Sequence, residues 1–104
     1  WLWDAATGEV LRGFVVPRGI VVLAGGKTTA DSKEFTMSAE LGSSSYAIGE
    51  NTYLGQHAST RAFTVTVTVN GPDSWSYIEN SSLKMDQFPD IFPHTDGNTL
   101  TRVA

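Results

Sequence analysis

The chain contains no cysteine. Disulfides, thiolate metal sites and a cysteine nucleophile are therefore excluded, and the composition fits the cytoplasm. Charge is also scarce: Asp, Glu, Lys and Arg make up 17% of the 104 residues, with 7 basic against 11 acidic and a net charge of −4. Lys and Arg nowhere cluster into the basic stripe that a phosphate backbone requires, so no nucleic-acid partner is expected. The longest apolar run, Gly19 to Gly25, is too short to cross a bilayer as a helix. With no polybasic or lipidation signal, no membrane partner is expected either. Helical periodicity is missing too: no segment places apolar residues at i, i+3, i+4 and i+7 over two turns.

Strand and turn residues are abundant. Hydrophobic residues reach 40% and aromatics 11%, and Thr, Ser, Val and Gly favour pleated structure over helix. Trp1–Trp3 is a candidate strand, closed by an Asp4–Gly8 loop. Glu9–Val16 alternates, with Val10, Arg12, Phe14 and Val16 on one face. Pro17-Arg18-Gly19 breaks it. Ile20–Leu23 is continuously apolar, as in a strand covered on both sides. Lys27–Lys33 reads as a polar loop and Glu34–Leu41 as an alternating strand, with a turn over Gly42–Ser45. Tyr46–Leu54 is ambiguous, and Gln56–Thr60 has no period. Arg61–Val69 is the strongest strand, with Phe63, Val65, Val67 and Val69 on one face and Thr64, Thr66 and Thr68 on the other. Asn70–Asp73 turns it into a strand over Trp75–Leu83. Asp86–Pro93 reads as a loop, Asp96-Gly97-Asn98 as a turn and Thr99–Val103 as a last short strand.

Six or seven short strands with turn signals between them imply an all-β antiparallel meander, hence a barrel or sandwich in a single domain spanning residues 1–104. A chain opening on Trp1-Leu2-Trp3 reads as the middle of a strand. It is expected to be the C-terminal portion of a barrel whose first strands lie upstream, and its first strand is placed to close onto its last.

Motifs for catalysis are few. Ser43-Ser44-Ser45 has no G-x-S-x-G context. Gly25-Gly26-Lys27-Thr28-Thr29 resembles the end of a phosphate loop but lacks the upstream glycine, and no helix follows it. His57 and His94 stand far apart without metal-ligand spacing, and His57 reads as an exposed loop residue. Asp86 and Asp90, near Phe88, Pro89 and Pro93, read as solvated loop carboxylates. Phe35, Met37, Phe63, Val65, Val67, Trp75, Tyr77 and Leu83 are the expected interior. Arg18 and Arg102 are candidate carboxylate anchors at its mouth.

Five segments together resemble one family: Trp1-Leu2-Trp3-Asp4, Pro17-Arg18-Gly19, Leu23-Ala24-Gly25-Gly26, Tyr77-Ile78-Glu79-Asn80, and His94 through Val103. They resemble the nitrobindin type of heme-binding β-barrel, a fatty-acid-binding-protein-like group. The resemblance implies a calycin-like antiparallel barrel with heme b as cofactor. It makes His94, ahead of the closing Leu100-Thr101-Arg102-Val103, the axial ligand of ferric iron. Phe63, Trp75 and Tyr77 would contact the ligand, and Arg102 would meet a carboxylate such as a heme propionate.

The function expected is that of a binding protein for heme or another small apolar ligand, more than that of an enzyme. A heme-dependent peroxynitrite isomerase is the enzymatic alternative. A lipid or fatty-acid barrel without heme is a second, and a filled barrel acting through its surface a third. Neither the ligand's identity nor an oligomeric state is written in the residues.

Overall fold

A computed structural model describes residues 1–104 as one all-β sheet of eight strands with a single short helix. The strands are β1 (Leu2–Asp4), β2 (Glu9–Val16), β3 (Ile20–Lys27), β4 (Glu34–Leu41), β5 (Ala47–Glu50), β6 (Ala58–Gly71), β7 (Ser74–Met85) and β8 (Phe92–Thr101), and α1 covers Thr52–His57. Neighbouring strands run β1-β2-β3-β5-β4-β6-β7-β8. All pairings are antiparallel except β4 with β5, which meet in parallel only at Glu40↔Ala47 and Leu41↔Ile48. No helix is long and apolar enough to cross a membrane.

The expected meander is present, and β5 interrupts it. β3 and β4 touch in register only at Gly25↔Ser38. Where they splay apart, β5 fills the gap by pairing Ile48–Glu50 with Val22–Ile20. The chain reaches that position through a loop containing Gly42 at φ 81°, a left-handed conformation glycine adopts without strain. At the other end of β3, Gly26 lies against the carbonyl of Thr36, where a Cβ would collide with backbone.

The sheet curls so that one face is concave. Period-two alternation decides which residues line it. β2 contributes Val10, Arg12 and Phe14, and β4 contributes Phe35, Met37 and Ala39. β6 supplies Phe63, Val65 and Val67, and β7 supplies Trp75, Tyr77 and Glu79, in register across the pairs Phe35↔Val67, Met37↔Val65, Val67↔Tyr77 and Val65↔Glu79. Nine apolar residues are buried there: Val10, Val22, Ala24, Met37, Ala39, Ile48, Phe63, Val65 and Val67. The Cα radius of gyration is 15.1 Å, above the ~13 Å of a compact domain this long. The sheet is therefore curled but not closed.

Several local expectations are corrected. Ile20–Leu23 is covered on one face only: Val22 is buried, whereas Val21 and Leu23 are 51% and 42% exposed on the convex side. Six residues after Asn51 form α1, too short to display a helical period, and Asn51 caps it by accepting from the Leu54 N–H at 2.8 Å. The last strand runs from Phe92 to Thr101, not from Thr99 to Val103. It passes straight through Asp96-Gly97-Asn98 because β7 offers a continuous ladder from Ser74↔Thr101 to Leu83↔Phe92. Gly97 permits this approach, since a Cβ there would stand 3.0 Å from the Tyr77 carbonyl. Pro93 is tolerated because β8 is an edge strand. β1 and β8 are the two edges and do not pair with each other.

On the convex side, the Tyr46 ring covers Gly25, and its hydroxyl donates to Glu9 Oε2 at 2.5 Å. This bond, with burial and the charge of Glu9 adding to it, raises the tyrosine pKa above its usual value. The folded-state pKa exceeds the unfolded one, so the contribution is complete below about pH 10 and is lost as pH rises through the folded value. Glu9→Gln is expected to move one tyrosine titration, followed by phenolate absorbance, to lower pH. An unchanged titration would show that the bond does not form. Gly26→Ala is expected to destabilise by about 1–3 kcal/mol in denaturant unfolding, through collision with the Thr36 carbonyl. Gly49→Ala, with open space around it, should cost far less, and equal losses would refute the close approach.

Candidate functional site

Two strands that are distant in the sheet face each other across the concavity. Arg12 of β2 forms an ion pair with Glu79 of β7, and their side chains are only 25% and 19% exposed. The Arg12 guanidinium lies 4.8 Å from the centre of the Phe14 ring and 5.5 Å from that of Trp1, a cation–π arrangement. Phe14 meets Phe63 edge-on at 5.3 Å, and Trp1 meets Trp75 edge-on at 6.0 Å. These contacts hold β2 and the N-terminus over β6 and β7.

The ion pair separates two clefts. On one side, a cleft of about 870 Å³ is walled by Trp1, Phe35, Val67, Trp75 and Leu100, with Arg102 and Asp73 at its rim. It shares Trp1, Phe35 and Val69 with an adjoining apolar hollow of about 430 Å³ that includes Trp3 and Val10. Arg102 is oriented by its backbone N–H, which donates to the Asp73 carbonyl at 2.7 Å. Its guanidinium stays 74% exposed, 3.7 Å from the Asp73 carboxylate. On the other side, a cavity of about 200 Å³ is lined by Phe14, Val22, Phe63, Glu79, His94 and Asp96.

The five residues singled out from the sequence all lie on the concave side but do not form one site. His94 and Phe63 line the small cavity, while Trp75 and Arg102 line the large cleft. Tyr77 sits beside the latter, its ring 6.0 Å from that of Trp75. β8 is extended, so His94 and Thr101 stand about 24 Å apart at roughly 3.4 Å per residue, with Arg102 beyond. Arg18 lies in the β2–β3 turn at φ 100°. Gly25-Gly26-Lys27 continues strand β3.

His94 is exposed on the edge strand. No three His, Cys, Asp or Glu side chains converge on a point that would hold a metal ion. A heme at His94 would need a flat apolar slot. The cavity there is smaller than the ~300–1,000 Å³ of typical ligand sites, and two carboxylates, Glu79 and Asp96, share its wall with the imidazole.

Arg12 is the interior residue that composition and pattern did not single out, although its place on the face of Val10 and Phe14 was legible. Its charge needed a partner, and only the fold brings Glu79, 67 positions later, to it. His57 closes α1 and holds Asp86 at 2.7 Å through Nδ1. Asp86 is thus half of an exposed pair and not merely a solvated loop carboxylate.

The site belongs to an open, curled antiparallel sheet with an aromatic cleft, the class of protein that the fold defines. No family model, curated protein or solved structure matches the chain.

The Arg12–Glu79 pair gives an expected outcome. Glu79→Ala should destabilise by about 2 kcal/mol, because it leaves a part-buried guanidinium without its charged acceptor. In a double-mutant cycle, Arg12→Leu combined with Glu79→Leu should cost less than the two single changes summed. Additive losses in urea unfolding would show that the pair does not couple β2 to β7.

Proposed function

We propose that the chain is a small-molecule-binding domain whose large concave cleft takes an apolar ligand bearing a carboxylate. The observation that carries this is the cleft of about 870 Å³ walled by Trp1, Phe35, Val67, Trp75 and Leu100, with the exposed Arg102 guanidinium at its rim. Its volume falls in the ~300–1,000 Å³ range of ligand sites, and such sites pair mostly apolar walls with a few polar groups that orient the ligand. Arg102 supplies a planar fork for two carboxylate oxygens, and Asp73 keeps that fork at the mouth. Trp75 offers a broad flat wall for an acyl chain or ring. The activity proposed for this cleft is binding.

Heme through His94 is the second reading, favoured by the exposure of that ring on the concave face. It requires the small cavity to widen past Glu79 and Asp96. Reactive-nitrogen chemistry depends on that ligation and carries no independent support.

Titration with a long-chain fatty acid, followed by tryptophan fluorescence, should show saturable binding. Trp75→Ala should weaken it at least about tenfold, the scale of one buried aromatic contact. Arg102→Gln should weaken the acid while leaving the corresponding alcohol unchanged. Absence of saturable binding would remove the cleft reading and leave a domain acting through its surface. A hemin titration at the Soret band should show no shift that His94→Ala abolishes. A saturable shift lost in that variant would instead establish the histidine-ligated reading.

A further inference from the structure

A polar pocket lies outside the concave face, between α1, the start of β6, the end of β7 and the loop that follows. Its volume is about 610 Å³, and Gln56, Arg61, Lys84, Asp86 and Gln87 stand on its wall. Arg61 reaches it through a β-bulge. The β6–β7 register jumps from Thr60↔Leu83 to Ala62↔Ser82, which leaves Arg61 without a partner. A bulge re-aims a side chain out of its regular alternation.

The two cations of the pocket are held in place by neutral groups. The Arg61 Nε donates to Ser59 Oγ at 3.1 Å. Ser59 is 2% exposed and itself donates to Glu50 Oε1 at 2.5 Å. Glu50 accepts the Thr60 N–H on its other oxygen at 3.0 Å, so both of its oxygens are engaged behind the pocket. Lys84 Nζ donates to the carbonyls of Phe88 and Pro89 at 3.1 and 3.0 Å. Neither Arg61 nor Lys84 belongs to an ion pair; the Arg–carboxylate pairs of the chain are Arg12–Glu79 and Arg102–Asp73. Asp86, the acid on this wall, is turned to His57 at 2.7 Å, and the Tyr53 ring lies tilted against that imidazole at 4.6 Å.

In a chain of net charge −4, two positioned but unpaired cations therefore open onto one polar pocket. From this convergence we infer that the pocket is a binding site for a small oxyanion of the phosphate type, separate from the apolar cleft. The free Nη atoms of Arg61 present a planar fork to two oxygens, and Lys84 adds a point charge for a third. The pocket is larger than a bare phosphate requires. The side-chain amides of Gln56 and Gln87 provide donors and acceptors for a polar substituent, so a phosphate monoester is the better fit.

Calorimetric titration of the full chain at low ionic strength, with inorganic phosphate in one arm and glycerol 3-phosphate in the other, tests the assignment. Saturable binding is expected, tighter for the monoester. Arg61→Gln and Lys84→Gln should each weaken it about tenfold or more, the loss of one charge-assisted hydrogen bond. Lys33→Gln, at the other end of β6 beside Val69, should leave it unchanged. Equal affinity in the two arms would name free phosphate as the ligand and still support the site. No saturable binding in either arm would overturn it. So would a Lys33→Gln effect as large as that of Arg61→Gln, because diffuse attraction would then account for the binding. Circular dichroism establishes that each variant folds, and Lys84→Gln alone decides the matter if the bulge does not tolerate glutamine.

Discussion

The concave interior depends on one contact made across it, the ion pair of Arg12 with Glu79. Backbone ladders join each strand to its neighbour, but ladders alone specify a sheet of any curvature. What holds β2 over β7 is a guanidinium set between Phe14 and Trp1 and aimed at a carboxylate on the opposite wall. Charge in such a place costs desolvation energy and is tolerated when it is well paired. Once the pair forms, Phe14 meets Phe63 and Trp1 meets Trp75, and the two clefts become separate spaces.

The core explains why such a crossing contact matters. Only nine apolar residues are buried, and Met37 and Val65 are the largest that are fully so. They form a thin layer on β2, β3, β4, β5 and β6, whereas β8 has no buried residue. The best-packed part of the molecule is thus the middle of the sheet. Each cleft runs from that centre to the margin, with Val67 of the core facing Leu100 in the large one and Val22 and Phe63 facing His94 in the small one. The polar pocket beside α1 lies at the start of β6, outside the concave face.

Much of the fold was legible from alternation. Phe63, Val65 and Val67 against Thr64, Thr66 and Thr68 placed β6 and its faces correctly, because a strand with one buried side writes its period plainly. Elements fixed by distant partners were not legible. β5 has only four residues and exists because β3 and β4 diverge around it. Asp96-Gly97-Asn98 carries turn chemistry, yet the β7 ladder keeps it extended. At the candidate site, the inward facing of Phe63, Trp75 and Tyr77 was readable from the alternation, whereas that of His94 was hidden by the turn expected at Asp96-Gly97-Asn98. Their assignment to separate clefts was not readable either, since it depends on where Arg12 crosses. The cations of the polar pocket were hidden for a similar reason, because the bulge that frees Arg61 leaves no mark in the sequence.

β8 contributes His94 to one cleft and Leu100 to the other while hydrogen-bonding to a single neighbour. A margin strand of this kind is the cheapest part of a sheet to displace. Both clefts therefore share one wall, and a change in the position of that strand would alter the two together. The two spaces are thus joined by the backbone of one strand, although their contents never touch.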